Sequence, residues 1–419
     1  MNAKRLPIAW LCAPLAITSL LVAISARGAA FDLPDQDAFV IGRGMAFVAT
    51  ADNPSAIYYN PAGITQLTGS NLRVGLYSIY LDPSYRPPPP ATGTFDNQDP
   101  LHAIPQFYYT YSREDWPVSL GLGVYSPFGL SVRWPQNTGF RTVATQGALT
   151  TDAINPVVAL KLSRRFSIGG GLVINYANAD LRQGLFSPDQ ATDSFRFAGD
   201  GWDVGYNLGA LWQFNDQVSL GATFRSGMNV ELRGHTTAVN RAGPAPIFDA
   251  RTVANAEFPL PLKAILGISY RPTPQWNLEF NADYTDWTQL GTVTIHQAAP
   301  LLGTPTIPLV LDLQSSWYYE FGATRYFANG WLASAGYIFS QNSAPDAHYS
   351  PLLADLDRHF LSVGTGFRGK RFDFDVAYQF GYGPTRTVTG SAPSAAGQTA
   401  DGNYEFFSHA IAVSVGAHF

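Results

Sequence analysis

Phe372-Asp373-Phe374-Asp375-Val376-Ala377-Tyr378-Gln379-Phe380 alternates large apolar residues with polar or small ones over nine positions. A period of two puts one set of side chains on each face of an extended strand, whereas a helix needs a period near 3.6. The last segment repeats the pattern with Phe407, His409, Ile411, Val413, Val415, Ala417 and Phe419. Working outward, the same alternation marks segments at 118–124, 168–176, 202–212, 218–224, 260–270, 276–284, 317–323 and 331–339. Weaker candidates lie at 70–81, 101–112, 151–162 and 358–368, giving 14 strands. An even number suits an up-and-down barrel whose two ends lie on one side of a membrane.

Composition points the same way. Of 419 residues only 14% are charged, while 14% are aromatic and 39 are glycine. Soluble domains carry about 25% charged residues. The one stretch long and apolar enough for a spanning helix is Leu6 to Ala26, at the extreme N-terminus. The connectors between strands also take turns in length. Short ones fall at 112–116, 163–165, 215–216, 271–275, 328–330 and 369–370, and long ones near 82–100, 127–150, 183–200, 233–256, 286–314, 341–357 and 381–404. Short periplasmic turns and long outer loops produce this asymmetry. Trp116, Phe166, Phe214, Trp276, Phe327, Trp331 and Phe372 flank the short turns, where an aromatic girdle belongs. The expected fold is all-β: a transmembrane antiparallel barrel of about 14 strands, residues 70–419. Closure removes the strand edges that hydrocarbon cannot hydrogen-bond.

Residues 1–28 read as a cleaved signal peptide. Lys4 and Arg5 precede an apolar run, and Ala26-Arg27-Gly28 is a small-x-small cleavage site; an uncleaved anchor helix is the alternative. Cleavage removes Cys12, the only cysteine, and leaves 23 Lys and Arg against 31 Asp and Glu. That balance argues against nucleic acid as a partner. Without cysteine, stability must come from backbone closure and packing. The seven histidines have no metal spacing, and no HExxH, Walker loop or GxSxG occurs. Ser408 and His409 are adjacent and so point to opposite faces of a strand. The expectation is neither an enzyme nor a cofactor protein.

The inward positions carry Asp203, Glu279, Asp283, Glu320, Asp373, Asp375, Lys161, Lys263 and Arg225. Isolated charges do not suit a dry core. A 14-stranded barrel is also too wide for side chains alone to fill. Residues 29–69 do not alternate and are Gly/Pro-punctuated, which suits an internal plug. Its Arg43 is a candidate partner for the lumenal acids, the alternative being that those acids are simply solvated.

Ala29-Ala30-Phe31, Gly42-Arg43-Gly44 and Asn60-Pro61-Ala62-Gly63 resemble the start of the FadL/TodX family of outer-membrane transporters. Gly123-Val124-Tyr125-Ser126-Pro127-Phe128-Gly129-Leu130 is similar to the family's third strand, and resemblance continues through 258–287 and 317–360 to the terminal Phe419. It implies a 14-stranded barrel plugged by an N-terminal hatch, in the outer membrane of a Gram-negative cell. It implies passive uptake of long-chain fatty acids or aromatic hydrocarbons. The hatch motif maps onto Asn60, Pro61 and Ala62, and the kink of the third strand that opens the wall maps near Ser126 to Leu130, where Pro127, Phe128 and Gly129 are expected to shape the lateral opening. Pro127 lacks an N–H and Gly129 tolerates unusual dihedrals, which suits a break in the ladder; a plain strand end is the alternative. The expectation has Asn60-Pro61-Ala62 abutting that break.

The expected partners are a hydrophobic small molecule, outer-membrane lipid and lipopolysaccharide, and barrel-assembly machinery reading Phe419. The chain is expected to be monomeric. Apolar loop stretches at Leu301-Leu302, 307–311 and 351–353 suit either a capture groove or packing among loops. A porin for polar solutes is the competing reading; it needs opposed charge clusters at a constriction and no plug.

Overall fold

The computed structural model describes residues 30–186, 192–242 and 246–419. The signal peptide expected over 1–28 lies outside the described residues. Fourteen antiparallel strands close into a barrel. In chain order β1 is Gly69–Arg86, β2 Leu101–Ser112, β3 Val118–Tyr125 continued by Gly129–Arg133, β4 Gln146–Lys161, β5 Phe166–Gln183 and β6 Asp193–Gln213. β7 is Val218–Arg225 continued by Met228–Asn240, and β8 is Phe248–Leu260 continued by Leu262–Thr273. β9 joins Trp276–Asp286 to Thr292–Leu301, and β10 joins Thr304–Val310 to Ser316–Tyr326. β11 is Trp331–Ser340, β12 Arg358–Arg368, β13 Phe372–Val388 and β14 Gly402–His418. Consecutive strands pair, and β1 meets β14 over sixteen residues, from Asn71 opposite His418 to Arg86 opposite Asn403.

Each of the 14 alternating segments is a strand. The long connectors differ from expectation, because much of 233–256 and 286–314 is itself strand, forming tall β7–β8 and β9–β10 hairpins. Beyond the hydrocarbon the outward face needs no apolar residues. The ladder therefore continues after the alternating signal has ended.

The wall is turned inside out relative to a soluble sheet. Leu76, Leu122, Val204, Leu266, Val363 and Ile411 are exposed, while Asn155, Asn175, Asn207, Asn277 and Asn281 are buried. Apolar residues outward and polar ones inward is the arrangement lipid demands. All seven aromatics beside the short turns are exposed. Of the nine charges expected inside, Lys161 is corrected: it is the last residue of β4 and is exposed. Asp203 is partly exposed, and the other seven are buried.

Residues 30–66 lie against the inward residues of the strands. They form two short helices, α1 (Ala38–Gly42) and α2 (Ala56–Tyr59), and a 3-10 turn, Pro61–Gln66. Asp37 caps α1 by accepting from the Phe39 N–H at 3.0 Å. Close approach explains the glycines of Gly42-Arg43-Gly44. A Cβ on Gly42 would lie 2.9 Å from Gly364 Cα on β12. Gly44, at φ +61, would place one 2.6 Å from the Tyr337 nitrogen on β11. Only glycine lets these backbones meet so closely.

Candidate functional site

β3 is broken where Pro127 and Gly129 suggested. Tyr125 stands opposite Ala153 and Gly129 opposite Thr150 on β4, so three residues of β3 span two of β4. The extra residue is a bulge that re-aims the strand. The Phe128 N–H donates to Thr151 Oγ1 at 3.0 Å, and that hydroxyl donates to the Phe128 carbonyl at 2.7 Å. A side chain thus satisfies groups that the ladder has lost.

The other edge of β3 shows the consequence. β2 and β3 pair over only six residues, from Ser112 opposite Ser119 to Phe107 opposite Val124. Beyond Phe107, β2 runs on to Leu101 paired with β1 alone. The upper part of β3, Gly129–Arg133, pairs with β4 alone. The first outer loop frames the top of this gap: Gln98 N–H donates to the Arg133 carbonyl at 2.8 Å, and Ser131 Oγ donates to Asp99 Oδ2 at 2.8 Å. The result is a bounded gap in the barrel wall.

Behind the gap lies a cavity of about 540 Å3. That volume is within the range of small-molecule sites. β2 contributes Leu101, Ile104 and Pro105, β3 contributes Phe128 and Leu130, and β1 contributes Tyr77, Ile79 and Leu81. Phe360, Phe406 and the loop residue Leu353 close the far side, and Asp32, Asp35 and Arg358 are its charged members besides Asp152. Of the apolar loop stretches, 351–353 thus reaches the cavity, whereas Leu301, Leu302 and 307–311 are not on its lining.

The N-terminal segment is stitched into the break. Leu33 N–H donates to the Pro127 carbonyl at 3.0 Å, and Gly129 N–H donates to the Phe31 carbonyl at 2.9 Å. Gln36 Nε2 reaches the Ser126 carbonyl at 2.8 Å. The Phe31 ring packs 4.7 Å from Trp287, 5.7 Å from Phe258 and 6.0 Å from Phe128, between centroids.

Buried ion pairs hold the same segment to the wall. Lys263 Nζ lies 2.5 Å from Asp32 and 2.9 Å from Asp283. Arg73 joins Asp37 to Asp373 at 2.7 Å and Asp375 at 2.6 Å. Arg43 pairs with Glu279 at 3.4 Å and hydrogen-bonds Asn277. The lumenal acids at 279, 283, 373 and 375 are therefore partnered rather than solvated. Arg43 takes the role suggested for it. Burial pushes the Asp35 carboxyl up from 3.8 to about 7, against the Gln379 amide that donates to it.

The structure separates the two groups that sequence reading joined. Asn60 Nδ2 donates to the Val48 and Ala210 carbonyls at 2.8 and 2.9 Å, and its Oδ1 accepts from the Ala62 N–H at 3.2 Å. A Cβ on Gly169 or Gly209 would meet Pro61 at 2.7 Å. Asn60-Pro61-Ala62 therefore packs on β5 and β6, while the neighbours of Pro127-Phe128-Gly129 are residues 31–36. The expected abutment is corrected on that ground. Asp32, Asp37 and Arg73 were missed, although Arg73 sits at an inward position of β1 and its parity was readable. Ser408 is buried and His409 exposed, hydrogen-bonded to Tyr378 at 2.7 Å, as strand parity demands.

Comparison with known proteins places this geometry. The chain is 24% identical over 437 residues to a long-chain fatty acid transport protein of Salmonella typhi, covering 97% of both chains. It is 26% identical to a 47 kDa outer membrane protein of Pasteurella multocida, covering 84% of this chain and 87% of that one. In fold it matches a FadL homologue of Pseudomonas aeruginosa with a TM-score of 0.83 at 19% identity, covering 93% of this chain and 100% of that one. It also matches the Pseudomonas putida toluene transporter TodX with a TM-score of 0.76 at 16% identity, over 93% and 100% of the two chains. The family model described as outer membrane protein transport protein (OMPP1/FadL/TodX) matches residues 19–419. With a closed barrel, a lipid-facing apolar wall and a match over nearly its whole length, the chain belongs to the OMPP1/FadL/TodX family of outer-membrane transport proteins.

Proposed function

We propose that this protein carries hydrophobic compounds, long-chain fatty acids or aromatic hydrocarbons, passively across the outer leaflet and releases them sideways into the membrane. The observation that carries this reading is the bounded gap between β2 and β3 with an apolar cavity directly behind it. A solute captured from outside gains about 25 cal/mol for each Å2 of apolar surface it buries there. Water in the periplasm is the next barrier, and a sideways exit avoids it.

In this reading residues 29–69 form a hatch and 70–419 the transporting barrel. Pro127, Phe128 and Gly129 shape the exit. Phe31, Asp32 and Leu33 act as its stopper, because their backbone occupies the break. Asn60, Pro61 and Ala62 fix the hatch to β5 and β6, so that the stopper moves without the whole segment leaving. The chain works as a monomer among outer-membrane lipid and lipopolysaccharide, Phe419 serves as its assembly signal, and no catalysis is assigned to it.

The test is uptake of labelled fatty acid and of labelled toluene by cells whose own transporters of this kind are deleted. Expression of this chain should restore uptake of at least one, and the purified protein should be nearly silent in a planar bilayer. A large steady ion current without hydrophobic uptake would overturn the reading in favour of a polar-solute porin.

A further inference from the structure

We infer that a trough on the lipid-facing wall, across β9, β10 and β11, seats one anionic phospholipid of the periplasmic leaflet, with an acyl chain in the trough and its phosphate on the Arg325 guanidinium. The trough lies half-way round the 14-stranded wall from the β2–β3 gap and is separate from the exit.

The first observation is shape. Phe280, Phe321 and Tyr337 stand directly opposite one another on β9, β10 and β11 and face outward as one rung. Neighbouring ring centroids are 4.7 Å and 6.3 Å apart, so the rings form a shelf. The next outward rung toward the short turns carries Leu278, Ala323 and Ala335. Two alanines beneath a shelf of rings leave a depression of about 590 Å3 in the wall. In hydrocarbon the gain comes from packing: an unfilled depression forfeits dispersion contacts that an alkyl chain restores.

The second observation is charge. One rung further on, Arg325 stands opposite Trp276 on β9 and Ala333 on β11. It is exposed, and its guanidinium lies 5.5 Å from the Trp276 ring and 5.2 Å from the Phe327 ring. Among the described residues its side chain makes no ion pair and no hydrogen bond. The turns around it carry one sign of charge. Residues 271–275, 327–330 and 369–371 hold Arg271, Lys370 and Arg371 and no acid. They sit together, because the Tyr326 N–H donates to the Gln275 carbonyl and the Arg368 N–H to the Gly330 carbonyl, each at 2.8 Å. Asp52 takes the charge of Arg271, whereas Lys370 and Arg371 are exposed. Elsewhere on this rim the turns at 112–116 and 215–216 carry Glu114, Asp115 and Asp216. A guanidinium matches a phosphate through two parallel hydrogen bonds, and basic residues at a membrane surface attract anionic lipid.

The third observation is depth, which selects the occupant. Arg325 is the next-to-last residue of β10, at the short turn that marks the periplasmic end of the wall. Headgroups begin at the aromatic girdle, and an arginine whose stem lies on apolar surface reaches them there. A phospholipid of this leaflet puts its phosphate at that level and runs its chains toward the bilayer centre, over Ala323 and Ala335. A second copy of this chain suits the trough poorly. A two-fold axis along the membrane normal would hold both Arg325 side chains at one depth and bring unmatched charges together.

The test is native mass spectrometry of the full chain released from detergent, titrated with dioleoyl phosphatidylglycerol and with dioleoyl phosphatidylcholine, which share their tails and differ in net charge. Wild type should hold one phosphatidylglycerol about fivefold more tightly than phosphatidylcholine, the ratio one basic residue supplies at an anionic surface. Arg325→Gln should remove most of that preference by weakening phosphatidylglycerol, and Arg325→Lys should keep it. Ala335→Phe fills the trough and should weaken both lipids alike. Heat-shifted migration on gels verifies that each variant is a folded barrel. Equal affinity of wild type for the two lipids, or a preference that Arg325→Gln leaves intact, overturns the inference. So does an Ala335→Phe variant that binds both lipids as wild type does. A lipid-free dimer that Ala335→Phe disperses overturns it in favour of self-association.

Discussion

Two seams of one wall make the instructive contrast. Where the chain's ends meet, β1 and β14 pair over sixteen residues. Between β2 and β3 only six residues pair, and the wall stands open above them. Both seams face a solvent that offers no hydrogen bonds, so each missing rung costs several kcal/mol unless something replaces it. The closing seam meets this demand with backbone alone. The open seam meets it with substitutes: the Phe31 carbonyl, the Leu33 N–H and a frame from the first outer loop, while the Thr151 hydroxyl repairs the bulge on the β4 side of the same strand. Pro105 and Pro127 flank the gap and carry no N–H to satisfy. An opening in a membrane wall is therefore built, with its own replacement partners, and does not arise by leaving residues out.

The strongest way to break the contrast is to close the open seam. Deleting Pro127 leaves two residues of β3 opposite Thr151 and Asp152, restoring one-to-one register. Uptake of labelled ligand by whole cells should fall to background while the heat-shifted gel migration of a folded barrel is retained. Normal uptake by that variant would dismiss the gap as the exit.

Next in size is the anchor that holds the stopper at the gap. Lys263→Met leaves Asp32 and Asp283 buried without their cation. Loss of one partner of a buried pair costs about 3–5 kcal/mol. The midpoint of thermal unfolding in detergent should drop accordingly. Arg73→Met, which strips the cation that Asp37 and Asp373 share, should behave alike without altering the gap.

A smaller effect with a pH signature comes from Asp35. Its carboxyl titrates at about 7 in the folded chain instead of the usual 3.8. The folded state therefore favours the neutral acid. Its stability falls as pH rises from the lower value to the upper one and is level above that. Asp35→Asn keeps the acceptor for Gln379 and removes the titration. It should stabilise the chain by a few kcal/mol at pH 8 and by nothing near pH 3. A gain independent of pH would contradict the assignment.

The smallest effect calibrates the others. Arg271 pairs with Asp52 at 3.2 Å with both side chains substantially exposed. Arg271→Gln should change stability by less than about 0.5 kcal/mol, because water screens such a pair. The same melts that register Lys263→Met should leave this variant unmoved.

Much of this molecule was legible in the amino-acid order, because a lipid-facing strand must alternate and a periplasmic turn must be short. That rule marked all 14 strands, the aromatic girdle and seven of the nine charges expected inside, missing on Lys161 and in part on Asp203, and the pair Pro127 and Gly129 marked the break in β3. Outside the hydrocarbon the constraint on the outward face lapses, so the tall β7–β8 and β9–β10 hairpins left no alternating trace. Which acid meets which base was not legible either. Arg73 and Asp375 stand 302 residues apart, and only closure of the barrel brings them within 2.6 Å. The gap itself is a matter of register between β2 and β3, and the cavity gathers side chains from β1, β2, β3, β4, β12 and β14. Periodicity is written locally, one strand at a time, and so the sequence alone determined the wall. Register, enclosure and charge pairing depend on distances between strands remote in the chain, and these the tertiary structure decided.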